Sequence, residues 1–318
     1  MNNLLLPIEV RRYTPDKADE WNQFVATSKN GTFLFDRRFM DYHADRFTDA
    51  SLMVYRDNSL YALLPANLKD EVLTSHGGLT YGGLVMNSRC SAKGVQEVFA
   101  AMNTYLAGMG VRRVVYKAVP WIYHQVPAEE DLYALTSICH AKLIIRDISS
   151  AILSDRPVRF SESRKSGLRK ALRKGLTVRE SEDFAVFWQI LNDNLSAKYG
   201  VHPVHSVAEL ELLHARFPQA IRLYMVYDGE TPLGGTLLFL TPQVLHTQYI
   251  SATPEGKAIG AIDLLFDYLI NDVYKDYRFI DFGKSTVSDS ADLNEQLIFQ
   301  KEGFGARAVC YDTYEWTL

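Results

Sequence analysis

Residues 223–240, LYMVYDGETPLGGTLLFL, give the clearest indication of the fold of the second half of this chain. Its two apolar runs are separated by Asp228-Gly229, a dipeptide typical of tight turns, and this arrangement predicts a β-hairpin. The residues that follow predict, in order, a third strand at 244–251, a loop at 252–260, a helix through 264–269 and a final strand at 278–282.

The first half of the chain repeats this order of elements. The pattern predicts a strand at 52–55, a turn at 57–58, further strand segments at 60–68 and 73–85, a helix from Ser91 and a strand at 113–119. The tripeptide Met-Val-Tyr occurs in both halves, at 53–55 and 225–227. The matched order indicates an internal duplication of one unit of roughly 150 residues. We therefore expect an α/β protein with mixed sheets and two similar domains.

Bulk composition excludes several classes of protein. Apolar residues make up 47% and charged residues 23% of the 318 residues, as in ordinary globular domains, and the net charge of −4 argues against a dedicated nucleic-acid binder. The three cysteines share no metal-binding or disulfide spacing, so we expect a reduced compartment and no metal. The N-terminus lacks a secretory pattern, and no stretch approaches the roughly 20 apolar residues of a membrane span. These features predict a cytoplasmic protein.

A basic segment, residues 159–174, lies between the two halves. It contains seven Lys or Arg residues and one acidic residue. Leu168 and Leu172 lie four residues apart, as on one face of a helix, and Ser161 or Ser163 is a suitable N-cap. The segment therefore predicts a basic helix. Its cations form either a solvated face or a contact for a phosphate or nucleotide.

Three motifs carry a family resemblance. In chain order they are Arg164-Lys165-x-x-Leu168-Arg169-Lys170-Ala171-x-x-Lys174-Gly175-Leu176, then Phe279-Ile280-Asp281-Phe282-Gly283-Lys284-Ser285, then Lys301-Glu302-Gly303-Phe304-Gly305. Together they resemble the FemAB-like acyltransferases, and the likeness extends over about residues 33–314. It implies two tandem GNAT-like (N-acetyltransferase-like) domains, an N-terminal one at 1–155 and a C-terminal one at 156–318, which begins with the basic helix and carries the donor site. Gln300 departs from the family's usual Phe, and the long coiled-coil insertion of some tRNA-using members is missing.

For the acyl donor, the resemblance implies acyl-CoA, such as acetyl-CoA, held by the loop before the central helix. Free N–H groups and the positive dipole end of a helix N-terminus attract phosphate groups. The candidate cofactor-binding residues are Gly256, Lys257, Gly260 and Ala261. Lys257-x-x-Gly260 matches the first part of the family pattern, and Ile262 departs from its end. A plain turn before a helix is the alternative interpretation.

Two residues are predicted to be catalytic. Transfer of an activated acyl group to an amine needs an acceptor for the amine proton and stabilisation of negative charge. Asp281, at a strand end, is the candidate base, and Lys301, at the position of the family's Lys, is the candidate cation. The alternatives are a turn cap for Asp281 and a solvated side chain for Lys301.

Four polar residues are predicted to bind the acceptor. His246 and Gln248 alternate along a predicted strand, so both face one side of the sheet. Ser285 and Asn294 lie in predicted loops. A hydrogen-bonded core histidine is the alternative for His246, and ordinary turn chemistry is the alternative for Ser285 and Asn294.

These observations predict an N-acyltransferase that moves an acyl group from acyl-CoA to an amine acceptor, such as a cell-envelope or amino-sugar precursor. An aminoacyl-tRNA-dependent aminoacyltransferase of the peptidoglycan-bridge type is the first alternative. The second is a non-catalytic binding module with a degenerate GNAT fold.

Overall fold

The structure is a computed structural model and describes residues 7–156, 159–200, 202–287 and 292–318. The chain divides into two compact units. Unit 1 comprises residues 1–147 and 310–318, and unit 2 comprises residues 148–309. The domain limits taken from the sequence, 1–155 and 156–318, stay a prediction.

Unit 1 is a mixed α/β unit. Its helices are α1 (Ala18–Thr27), α2 (Arg37–Met40), α3 (Ala92–Gly108) and α4 (Glu130–Ser137). Its strands are β1 (Ile8–Arg12), β2 (Leu52–Arg56), β3 (Ser59–Leu64), β4 (Asn67–Lys69), β5 (Val72–Thr74), β6 (Val85–Met86) and β7 (Arg113–Lys117).

Helix α3 supplies much of the core of unit 1. Its apolar residues recur at helical spacing, so one face packs on the strands: Val95, Val98, Phe99, Met102 and Leu106. The Ser91 hydroxyl accepts a hydrogen bond from the Gly94 N–H, which caps the first turn. The helix predicted from Ser91 onward is therefore confirmed.

Unit 2 is also a mixed α/β unit. Its helices are α5 (Glu162–Lys174), α6 (Phe184–Tyr199), α7 (Val207–Arg216), α8 (Pro254–Ile259), α9 (Ala261–Tyr268) and α10 (Glu295–Glu302). Its strands are β8 (Lys142–Leu153, of which 148–153 belong here), β9 (Thr177–Ser181), β10 (Ile221–Asp228), β11 (Thr231–Leu240), β12 (Val244–Ala252), β13 (Phe279–Lys284) and the start of β14 (Arg307–Thr317). Within the unit the strand order is β8-β13-β12-β11-β10-β9.

The prediction of a loop at 252–260 is wrong, because most of this segment is helical. Thr253 accepts a hydrogen bond from the Gly256 N–H, and Pro254 occupies the first turn of α8. A threonine N-cap followed by proline is a standard helix start. Gly260, with φ +84°, ends α8 in the left-handed conformation and leads directly into α9.

The two units share the predicted order of elements. Each begins its repeat with an antiparallel hairpin, β2–β3 in unit 1 and β10–β11 in unit 2. In both hairpins the register shifts within the shared Met-Val-Tyr tripeptide, between its Val and its Tyr. The next strand position differs. In unit 1 it is split, so β6 pairs with β3 and β5 pairs in parallel with β7. In unit 2 the single strand β12 pairs antiparallel with β11 and parallel with β13.

The predicted fold class, α/β with mixed sheets, is therefore confirmed. Among the helices that the structure describes, none combines the length and the apolar character needed to cross a membrane. Within the same residues, no group of three or more His, Cys, Asp and Glu side chains is arranged to hold a metal ion.

Candidate active site

Strands β12 and β13 separate from each other in the middle of the unit 2 sheet. They pair in parallel only where Val244–His246 lies beside Phe279–Asp281. Beyond that point β12 continues to Ala252 with its other edge on β11, and Gln248 forms a bulge because Leu237 pairs with Tyr249 while Leu238 pairs with Thr247. The β13-facing edge of β12 is therefore open from Thr247 onward.

A cleft of about 690 Å³ lies along this open edge. Its walls come from the end of β12, the first turn of α5, α9 and α10. Three cationic side chains line it: Arg164, Lys257 and Lys301. A strand edge and a group of cations therefore face one cavity.

Asp281 and His246 form a buried pair at the point where the two strands part. His246 Nδ1 lies 2.8 Å from Asp281 Oδ2, and Asp281 has no exposed surface. The other carboxylate oxygen, Oδ1, accepts from the Ser149 hydroxyl and from the Gly283 N–H at 3.1 Å. The carboxylate is therefore engaged at both oxygens and fully buried, so it is not itself open to a ligand. His246 keeps 8% of its surface exposed.

Lys301 is the most buried of the three cleft cations, with 7% of its surface exposed. Its Nζ donates to the carbonyl oxygens of Gly283 at 2.8 Å and Lys284 at 2.7 Å, just after the separation of the strands. Burial lowers the pKa of Lys301 to about 8, while the negative charge of Asp281 acts in the opposite direction. The surface alternative for Lys301 is therefore excluded.

Arg164, in the first turn of α5, joins the helices that flank the cleft. Its guanidinium donates to Asp263 of α9 at 2.9 Å and to the carbonyl of Gln300 in α10 at 3.0 Å. It also lies over the Phe304 ring, 4.2 Å from the centroid. Burial raises the pKa of Asp263, and the arginine opposes that rise. The sequence placed Arg164 in the basic helix but did not select it as a site residue.

Two of the four predicted cofactor-binding residues line the cleft, and the other two are buried. Lys257 and Gly260 line the cleft, and Lys257 Nζ donates to the amide oxygen of Asn194 in α6. Gly256 is buried against β11, where a Cβ would lie 2.4 Å from the Leu233 carbonyl oxygen. Ala261 has no exposed surface. Gly256 and Ala261 therefore serve packing, and the cleft side chain from this segment is Lys257.

Gly260 meets a second glycine of unit 2. A Cβ on Gly260 would lie 2.2 Å from the carbonyl oxygen of Gly167 in α5. A Cβ on Gly167 would in turn lie 1.8 Å from the Asp263 carboxylate. Glycine at both positions permits the close approach of α5 to the start of α9.

The four predicted acceptor-binding residues lie in two places, two residues in each. His246 lies beside Asp281, and Gln248 forms the bulge two residues further along β12. Asn294 N donates to the Ser285 carbonyl at 2.8 Å, and the Asn294 side chain caps α10 by accepting from Leu297 N at 3.1 Å. Turn and cap chemistry therefore accounts for Asn294.

Near the point where β12 and β13 separate, some buried side-chain oxygens have no hydrogen-bond partner among the described residues. They are Thr247 Oγ1, Gln248 Oε1 and Ser285 Oγ. A buried polar atom without a partner is costly, and such atoms often contact a ligand or water. Thr247 was not predicted, and its place beside His246 in a strand offered no distinguishing signal.

Residues 162–290 match the model of the acetyltransferase (GNAT) domain family. This range contains the strand separation, Asp281, His246 and Lys257. Unit 2 thus carries a GNAT-type domain, and the protein is an acyltransferase. No curated protein sequence matches the chain significantly.

Solved structures extend the likeness to the whole chain. FemX is 12% identical over 98% of this chain and 97% of its own, with a TM-score of 0.69. L-PGS from Bacillus licheniformis is 11% identical over 95% and 91%, with a TM-score of 0.60. A tandem GNAT protein from the clavulanic acid biosynthesis pathway is 10% identical over 98% and 98%, with a TM-score of 0.50. The predicted tandem GNAT fold is therefore confirmed, and the likeness to FemX agrees with the predicted resemblance to the FemAB-like family.

Proposed function

We propose that unit 2 transfers an acyl group from acyl-CoA to the amine of a small acceptor. The observation that carries this proposal is the open edge of β12 beside a cleft of about 690 Å³ lined by cations. A free strand edge presents N–H and C=O groups that pair with an extended chain containing amides, as the pantetheine arm of CoA does. The cleft volume lies within the range of about 300–1,000 Å³ usual for small-molecule sites.

The cleft offers side chains, more than the backbone of a glycine-rich loop, as contacts for the donor. Helix α8 occupies the place of the expected phosphate loop, and Gly256 is engaged in packing. Lys257 lines the cleft, and its partner Asn194 contributes a neutral amide oxygen. Lys257 is therefore proposed to hold the phosphates of CoA. Bound acyl-CoA supplies an activated thioester, so the protein's main task is to position donor and acceptor.

His246 is proposed as the group that accepts the amine proton, with Asp281 as its positioning residue. The Asp281 carboxylate fixes the proton of His246 on Nδ1, which leaves Nε2 as the basic atom. The amine nitrogen attacks the thioester carbonyl carbon and its proton passes to Nε2. The C–S bond then breaks, and CoA leaves as a thiolate that takes up a proton. Lys301 supplies positive charge for the negative charge that develops in this step.

The acceptor is proposed to be an amine-bearing precursor, such as an amino sugar or a cell-envelope peptide. Among the described residues, the buried side-chain oxygens of Thr247, Gln248 and Ser285 have no hydrogen-bond partner, and they are proposed to contact its polar groups. A donor of the aminoacyl-tRNA type is the second candidate. The cations Arg169, Lys170 and Arg173 on the exposed side of α5 favour it, because an RNA backbone would be attracted to them.

Calorimetric titration of the full chain with CoA and acetyl-CoA tests the donor. The Lys257→Glu variant should bind at least about tenfold more weakly, a loss of about 1.4 kcal/mol, because a carboxylate would replace a cation beside phosphates. Lys275→Glu is the matched control, since Lys275 is exposed in the same unit and does not line the cleft.

Equal affinity of the Lys257→Glu and Lys275→Glu variants would refute the phosphate assignment. If the wild-type protein bound no CoA but accepted an aminoacyl group from aminoacyl-tRNA, the second candidate would replace the first. Release of free thiol on mixing acetyl-CoA with a panel of amino sugars and amino-terminal peptides would identify the acceptor class.

A further inference from the structure

Helix α10 presents a large aromatic side chain to solvent at the mouth of the cleft. Phe299 has 73% of its surface exposed, although phenylalanine is among the residues most often buried. Its neighbour Ile298, in contrast, is buried. The exposed ring therefore contributes little to the folding of unit 2.

Two amide side chains of α10 line the cleft together with Phe299. Gln296 lies three residues before Phe299, on the same side of the helix, and Gln300 follows it directly. Glutamine presents both an N–H donor and a carbonyl acceptor. A flat apolar surface with amides beside it matches the face and the edge of a nucleobase.

We propose that Phe299, Gln296 and Gln300 form the binding site for the adenine base of the donor. This inference rests on the proposed use of acyl-CoA. Aromatic side chains stack on bases, and a glutamine amide can pair with the N6 and N7 positions of adenine. The Lys257 ammonium lines the same cleft, so the cleft offers one surface for each part of the ligand: the base, the phosphates and the pantetheine arm.

The competing explanation is that Phe299 contacts an apolar acyl group or an apolar part of the acceptor. The two explanations differ in which donors they affect. A base-binding role concerns only donors that contain adenosine, whereas an acyl-binding role concerns every thioester with the same acyl group. S-acetylpantetheine retains the thioester and both amides of acetyl-CoA but has no phosphate or adenine.

The test compares the KM for acetyl-CoA and for S-acetylpantetheine in the wild type, Phe299→Ala and Phe299→Trp. Loss of one stacked base weakens binding by about tenfold or more, so Phe299→Ala should raise the KM for acetyl-CoA by that factor and leave the KM for S-acetylpantetheine unchanged. Phe299→Trp should keep the wild-type KM for both donors. Leu293→Ala, which removes another exposed apolar side chain outside the cleft, should change neither.

Equal effects of Phe299→Ala on both donors, or none on either, would overturn the adenine site. Titration with adenosine 3′,5′-bisphosphate gives an independent reading, because this probe contains the base but no thioester. It should bind the wild type and bind Phe299→Ala about tenfold more weakly. Wild-type protein that binds no CoA would refute the proposed function as well. Wild-type protein that binds CoA with the same affinity as Phe299→Ala would refute the adenine site alone.

Discussion

Replacement of Asp281 by asparagine tests the proposed role of the His246–Asp281 pair. The change keeps the size of the side chain but leaves one oxygen where the carboxylate had two. In the wild type Oδ2 accepts from His246 Nδ1 at 2.8 Å, and Oδ1 accepts from Ser149 and from Gly283 N. An asparagine amide therefore places its NH₂ against at least one of these donors. If the NH₂ faces His246, the imidazole moves its proton to Nε2 and can no longer accept one there.

The size of the effect follows from these contacts. Loss of a positioned general base reduces turnover by about 10²- to 10⁴-fold, which is roughly 3–5 kcal/mol in the activation barrier. Loss of a hydrogen bond to a buried carboxylate costs about 1.5–3 kcal/mol of stability, and removal of the buried charge offsets part of that cost. We expect the free energy of unfolding to fall by about 1–2 kcal/mol, with the affinity for CoA preserved.

The assay combines kcat with saturating donor, calorimetric CoA affinity and urea unfolding of the same preparations. Asp267→Asn is the control, because Asp267 is a partly buried carboxylate of α9 whose partner is Asn271 and which does not line the cleft. It should leave kcat unchanged. A variant at Asp281 that loses about 1 kcal/mol of stability but keeps wild-type turnover would show that Asp281 only caps the end of β13, and would refute our reasoning.

Two further predictions concern Lys301 and Gly260. Burial lowers the pKa of Lys301 to about 8, so kcat should fall as the pH rises through 8 and the cation is lost; Lys301→Met should lower kcat and remove this pH dependence from the kcat–pH profile. The same shift has an opposite effect on stability. Below pH 8 Lys301 is protonated in both the folded and the unfolded state, so the full cost of burying its charge lowers the unfolding free energy. Between pH 8 and the ordinary pKa of 10.5 the folded state loses this proton first, so the unfolding free energy should rise. Urea unfolding at a series of pH values measures this rise. Gly260→Ala should cost more than about 2 kcal/mol, because φ is +84° and a Cβ would overlap the Gly167 carbonyl oxygen. Gly229→Ala, at φ +58° with open space around the Cβ, should cost only about 1 kcal/mol in the same measurement, and equal costs would contradict the overlap.

Much of the fold could be predicted from local sequence. Alternating apolar residues and the Asp228-Gly229 turn define the β10–β11 hairpin, because strand pairing across a short turn depends on neighbours in the chain. The spacing of apolar residues likewise defines α3. The segment 254–259 is a helix where the sequence predicts a loop, since Gly256 and the following Gly260 outweigh the Thr253-Pro254 helix start. The tertiary contact of Gly256 with β11 explains that glycine, and no local pattern shows such a contact.

The class of protein could be predicted from the sequence, because the duplicated order of elements, the two motifs that contain Asp281 and Lys301, and the basic helix α5 each consist of consecutive residues. The arrangement of the candidate site was decided by tertiary structure alone. His246 and Asp281 are 35 residues apart and meet only because β12 and β13 pair in parallel before they separate. Arg164 reaches Asp263 across 99 residues. The physical reason is that a hydrogen bond or a cleft wall depends on distance in space, which chain connectivity constrains only between near neighbours in the sequence.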